Sequence, residues 1–99
     1  MAEHYASGTW QVKTGREPEF VQRWTEFLQW THKDHPAMLV ATLLRDRTVP
    51  GHYVSFAEWT DEQSRDAWKQ SPEFAARFAS CRTLCEDMTG SDYDRAATV

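Results

Sequence analysis

The chain has 99 residues, of which 11 are basic and 15 acidic, for a formal net charge of −4 and a pI near 5.5. One small domain of this size buries only about 60–65% of its unfolded surface, which makes self-association an early expectation. The acidic balance argues against nucleic acid as a partner; the longest apolar run, Ala37 to Ala41, is far too short to span a membrane; and Met1 to Tyr5 lacks a basic-then-apolar leader, so a cytoplasmic location is expected.

In chain order, Tyr5 to Lys13 reads as a strand and Thr14-Gly15-Arg16 as a turn. Glu17-Pro18-Glu19 then opens a helix, with proline in the first turn and acids at its positive end. Phe20, Trp24, Phe27, Leu28 and Thr31 recur at the spacing of one buried stripe, and His35-Pro36 stops the helix near His32 to Asp34. Ala37 to Asp46 is apolar as far as Leu44 except at Thr42, Arg47 to Gly51 turns the chain, and His52 to Trp59 returns as a partner strand. Thr60-Asp61-Glu62-Gln63 has the form of a helix start, and a short helix to about Lys69 follows. Ser71-Pro72-Glu73 repeats the signal, and the stripe Phe74, Phe78, Cys81, Cys85 and Met88 predicts a second long helix. Beyond Gly90, Tyr93, Ala97 and Val99 at even spacing predict a last strand. The order is β-α-β-β-α-β with its second helix broken, which is an α+β, ferredoxin-like arrangement: one antiparallel sheet with the helices on a single face.

The middle strands do not alternate as a half-wet sheet would. Leu39, Val40, Ala41, Leu43 and Leu44 are all apolar, and Val54 and Phe56 oppose Tyr53, Ala57 and Trp59 across the third strand. Both sheet faces therefore read as buried, and a second copy of the chain is the simplest cover for the face without helices. The expected assembly is a homodimer.

Five Trp, five Phe and three Tyr stand in a chain of mean hydropathy −0.71, so a few large rings must build the core and have surface left to line a pocket. The sequence contains no Asn, which excludes any mechanism that requires that side chain. Cys81 and Cys85, read on one helical face with near-parallel Cα–Cβ vectors, are disfavoured for a disulfide and have no recognised zinc spacing. They are expected as two reduced, buried thiols. His32 and His35 read as cations at a helix's negative end, with either one the next candidate for a general base; His4 is read in a frayed terminus, and His52 on the face away from Ser55.

Phe56-Ala-Glu-Trp59-Thr-Asp-Glu-Gln63, followed by Trp68-Lys-Gln-Ser71-Pro-Glu-Phe74, resembles the antibiotic biosynthesis monooxygenase family of dimeric α/β barrels, and with element order and length the resemblance covers nearly the whole chain. The family includes cofactor-free quinone-forming oxygenases, haem-degrading enzymes and small proteins without assigned substrates, beside polyketide cyclases on a similar barrel. The haem-degrading pattern implies a first-strand Asn, a Trp, and an iron-ligating His ten residues later. Trp68 matches the Trp, but Phe78 stands at the His position and Gly8 or Thr9 where Asn is wanted.

The quinone-forming pattern implies an Asn and a Trp four apart on the third strand, with a Tyr on the next helix. Trp59 matches, while Ser55 and Arg65 stand in place of the other two. Ser55 and Trp59 share strand parity with Tyr53 and Ala57, so all four project to one face. The resemblance thus implies a catalytic set of Trp59, Ser55 and Arg65, with Tyr53, Trp24, Phe27, Trp68, Phe74 and Phe78 around a small aromatic or polyketide-type molecule, and with no cofactor. A bland reading stands beside it, in which the rings are core and Arg65 is a solvated residue paired with Asp61 or Glu62. The activity implied is a cofactor-independent monooxygenase; a non-catalytic binding or accessory protein of the same fold and a polyketide cyclase remain as alternatives.

Overall fold

Residue parity decides which side of each strand meets the helices. A computed structural model describes residues 3–99; Met1 and Ala2, at the head of the N-terminal stretch read above, lie outside the described residues. The chain runs β1 (His4–Val12), α1 (Glu17–Asp34), β2 (Met38–Arg45), β3 (His52–Trp59), α2 (Glu62–Gln70), α3 (Pro72–Arg82) and β4 (Cys85–Asp94). The strands form one antiparallel sheet in the order β2-β3-β1-β4. This is the ferredoxin-like α+β arrangement expected from the sequence.

The local signals explain most boundaries. In α1, the stripe Phe20, Trp24, Phe27, Leu28 and Thr31 is buried, with Pro18 in the first turn and the end at His35. Asp61 caps α2 by accepting the Ser64 amide at 2.7 Å. Ser71 both ends α2 and caps α3, accepting the amides of Glu73 and Phe74 at 3.1 and 3.3 Å.

The second long helix is shorter than expected. It stops at Arg82, and Cys85 and Met88 lie on β4, which also takes in Thr89 and Gly90 and ends at Asp94, short of Ala97 and Val99. Helical spacing of Cys85 and Met88 is outweighed by backbone pairing. β4 pairs with β1 from Tyr5↔Tyr93 to Val12↔Cys85, satisfying a row of amides and carbonyls that would otherwise be an open edge. Gly90, costly inside a helix, is tolerated there. His4, expected in a frayed terminus, instead starts β1 and places its Nδ1 3.0 Å from the Asp94 carboxylate.

Ala6, Gly8, Trp10 and Val12 of β1 and Tyr53, Ser55, Ala57 and Trp59 of β3 all face the helices and are buried. Phe20 and Trp59 are fully covered, and burial of a large side chain contributes roughly 1.5–3 kcal/mol each. The opposite face is not covered within one chain. Val40, Leu44, Phe56 and Tyr93 are 37–52% exposed there, as expected for the one sheet face that a single protomer has no helices to cover.

The β2–β3 turn is held by one carboxylate. Asp46 Oδ1 accepts the amides of Thr48 and Val49 at 2.7 and 3.1 Å, and Oδ2 lies 2.8 Å from His52 Nδ1. Those two amide bonds first, and His52 after them, hold the Asp46 carboxyl down to about 2. Gly51, at φ 75°, closes the turn where a side chain would meet the Val12 carbonyl oxygen at 2.8 Å. A depressed carboxyl stabilises the fold above its ordinary value of 3.8, and the contribution is lost as pH falls toward about 2. Urea midpoints of the wild type and of Asp46→Asn are therefore expected to differ near neutral pH and to converge across that acid window.

Candidate functional site

Small residues on the sheet and large rings on the helices leave a space between them. In register, Ala6 pairs with Ala57 and Gly8 with both Ser55 and Gly90, so the middle of the inner face carries almost no side-chain volume. Trp24, Phe27 and Leu28 from α1, Trp68 and Lys69 from α2, and Phe74 and Phe78 from α3 stand over this floor and enclose a cavity of about 280 Å³, with Trp10 and Met88 at its side. The rings brace one another. Phe27 stacks on Trp68 at 5.7 Å between centroids, Trp68 meets Phe74 edge-on at 4.7 Å, Phe74 stacks on Phe78 at 5.5 Å, and Phe78 leans on Trp10 at 5.6 Å.

Polar atoms at the cavity are few and engaged. The Trp10 indole donates to Ser55 Oγ at 3.1 Å, and that hydroxyl lies 3.5 Å from the Gly8 carbonyl oxygen. Gly8 must be glycine for this arrangement, since an added Cβ would sit 2.7 Å from the Trp10 nitrogen and 3.0 Å from Ser55 Oγ. The Trp68 indole donates to Thr31 Oγ1 at 2.9 Å, and the Thr31 hydroxyl donates in turn to the Phe27 carbonyl at 2.9 Å.

Of the residues expected at a site, Ser55, Trp24, Phe27, Trp68, Phe74 and Phe78 are brought together around the cavity. Trp59, Tyr53 and Arg65 are not on its wall. Trp59 is fully buried behind Trp68, 5.0 Å between centroids, with an indole N–H that has no partner among the described residues. Tyr53, at the other end of β3, packs on Phe20 at 5.4 Å. Arg65 is 5% exposed rather than solvated: its guanidinium donates to the Tyr5 carbonyl at 3.3 Å and lies 3.5 Å from Glu62 and Asp66 and 3.8 Å from Asp92. It ties α2 to both β1 and β4.

The histidines lie elsewhere. His32 Nδ1 is 3.2 Å from the Met38 carbonyl oxygen, His35 meets Trp30 and Trp59 edge-on, and His52 is held by Asp46. Both cysteines are free and buried, with Cys85 on β4 rather than on a shared helical face. Burial, and then Cys85, push the Cys81 thiol up to about 12; burial raises Cys85 as well, so neither is a ready nucleophile. Among the described residues no group of three or more His, Cys, Asp or Glu is placed to hold a metal, and no helix is long and apolar enough to cross a membrane.

The sequence reading missed Trp10, Leu28, Met88 and Lys69 as cavity residues, Leu28 having been read only as part of the buried α1 stripe. Trp10 was accessible through its shared parity with Ala6 and Gly8, whereas Met88 was hidden by the overextended helix. Lys69 follows a wall residue by one position, and no spacing rule singles it out.

An antiparallel sheet backed by helices over a ring-lined cavity defines a small ferredoxin-like α+β protein. The chain belongs to the antibiotic biosynthesis monooxygenase family, whose model matches residues 4–79, from β1 through most of α3. No curated protein matches it in sequence. Among solved structures it is similar to SnoaB, a cofactor-independent oxygenase from Streptomyces nogalater, at TM-score 0.87 and 22% identity over 100% of this chain and 98% of that one. It is also similar to a conserved protein from Methanosarcina mazei Go1, at TM-score 0.84 and 20% identity over 96% and 94%. At such identities the likeness is one of fold.

Thr31 is the support of the Trp68 wall. Thr31→Val keeps the volume but leaves a buried indole N–H unpaired, and urea unfolding is expected to show a loss of about 1–3 kcal/mol.

Proposed function

We propose that the protein is a cofactor-independent monooxygenase that oxidises a flat aromatic or polyketide-type molecule with dioxygen. The observation that carries this reading is the cavity itself: about 280 Å³, walled by mutually braced rings, with the Ser55 hydroxyl in its floor. Such a chamber suits a hydroxylated polycyclic substrate whose anion is electron-rich enough to react with dioxygen directly. For a ring methylene flanked by aromatic rings the balance is simple. Two C–H bonds break, one oxygen atom stays as the new carbonyl, and the other leaves as water with both hydrogens.

In this reading Ser55 touches the substrate and orients one of its oxygens. Trp59 and Arg65 act as positioning residues, Trp59 by backing Trp68 and Arg65 by anchoring α2 to the sheet. Family membership and the fold shared with SnoaB, a cofactor-independent oxygenase, support the assignment. The two unreactive thiols suit a reducing cytoplasm.

A second reading is favoured by one detail. The Ser55 hydroxyl is already engaged by the Trp10 N–H and the Gly8 carbonyl, which suits a protein that binds or folds its ligand without oxygen chemistry, an accessory protein or a cyclase. Oxygen-electrode measurements with 1,8-dihydroxyanthrone in metal-free buffer separate the two. Uptake of one dioxygen per substrate is expected, with Ser55→Ala lowering kcat about tenfold. Uptake no faster than the uncatalysed rate, with ligand binding intact, selects the second reading.

The reading includes a homodimer, since the exposed Val40, Leu44, Phe56 and Tyr93 face calls for cover and a second sheet matches it in shape and polarity. Sedimentation velocity is expected to give a two-chain species that Phe56→Asp converts to one chain; a stable single chain in the wild type would remove the dimer from the proposal.

A further inference from the structure

Among the described residues, Lys69 is the one ionisable side chain on the cavity wall. It stands at the mouth, about a third exposed, and its ammonium donates to Asp92 Oδ1. Asp92 lies on β4 at the same parity as Met88 and Gly90, the two β4 residues of the cavity. Its other oxygen is 3.8 Å from Arg65 Nε.

The two cations that share Asp92 differ in freedom. Arg65 is 6% exposed in its side chain and held by the Tyr5 carbonyl, whereas Lys69 is 35% exposed on a flexible stem with no second partner among the described residues. If Lys69 leaves, Asp92 keeps Arg65, so the exchange strands no charge. The sequence reading placed the site's positive charge on Arg65; the structure buries Arg65 behind the wall and puts Lys69, one helical turn further on, at the opening.

We infer that Lys69 is the anion-recognising residue of this cavity, held by Asp92 until the ionised oxygen of a flat aromatic ligand replaces that carboxylate. The ligand class is a planar polycyclic with a phenolate, enolate or carboxylate at one edge, its rings against Trp68 and Phe74 and its charged edge at the mouth. Low-polarity walls strengthen the ion pair formed there, while a neutral analogue gains from Lys69 only the weaker hydrogen bond to an uncharged oxygen. The inference rests on the reading of the cavity as a ligand site and deepens it by naming the charge of the ligand.

The test compares anthraquinone-2-carboxylate with anthraquinone-2-carboxamide, nearly isosteric and differing by one charge, by quenching of tryptophan fluorescence, since Trp24 and Trp68 line the cavity. The wild type is expected to bind the carboxylate about tenfold more tightly. Lys69→Met should bring that ratio within about twofold, chiefly by weakening carboxylate binding, and Lys69→Arg should restore most of the preference. Asp92→Asn, by removing the competitor, should tighten carboxylate binding about threefold. A preference that survives Lys69→Met, or carboxylate binding weakened by Asp92→Asn, overturns the inference. If neither compound binds the wild type, the cavity is no ligand site and both proposals fall. If the preference behaves as expected but no substrate drives oxygen uptake, only the oxygenase reading is lost; oxygen uptake with a preference indifferent to Lys69 is the reverse.

Discussion

Everything at the site depends on the register between β1 and β3. Pairing Ala6 with Ala57 and Gly8 with Ser55 sets the smallest side chains of the sheet next to one another beneath the largest rings of the helices. The cavity is the volume those small residues do not fill. A slip of one residue in either strand would turn its half of this floor outward and bring Ser7 and Thr9 of β1, or Val54 and Phe56 of β3, beneath the helices in its place. Trp10, next on the inner face of β1, closes one side, while its register partner Tyr53 packs on Phe20 away from the wall.

The rings above the floor are held by packing on one another, and one of them, Trp68, also by a hydrogen bond. Trp68 is fixed by Thr31, whose own hydroxyl donates to the backbone carbonyl of Phe27, so this wall ring hangs from one threonine anchored to the α1 backbone. Trp10 is fixed by Ser55. The N–H of Trp59, directly behind Trp68 and without a partner among the described residues, stands apart from this pattern. A buried donor without a partner is costly, and here the cost falls against the wall of the cavity rather than in a remote part of the core. At the opposite side, Arg65, Asp92 and Lys69 join α2 to β1 and β4. Thus the mouth is defined by charge and the interior by rings.

Much of this was legible in the sequence, for identifiable reasons. The α1 stripe from Phe20 to Thr31 is a strong helical period with a clear start at Pro18 and a stop before Pro36, and it folds as read. The parity of β3 placed Tyr53, Ser55, Ala57 and Trp59 on one face correctly. The failure at Cys85 and Met88 has a physical cause: spacings of three and four are also reached by residues that never share a helix. Backbone pairing with β1 outweighed a helical pattern of modest strength.

Local chemistry in the sequence therefore determined the elements from β1 through α2, the inward faces of α1 and β3, and the aromatic character of whatever they enclose, because each follows from periodicity and caps within a few residues. Only the tertiary structure decided which aromatic rings border empty space and which are packed solid, that Arg65 is buried and Lys69 is at the opening, and that β4 begins at Cys85. Those outcomes depend on contacts between residues tens of positions apart, such as Lys69 with Asp92 and Gly8 with Ser55, and no pattern along the chain encodes which distant partner a side chain will meet.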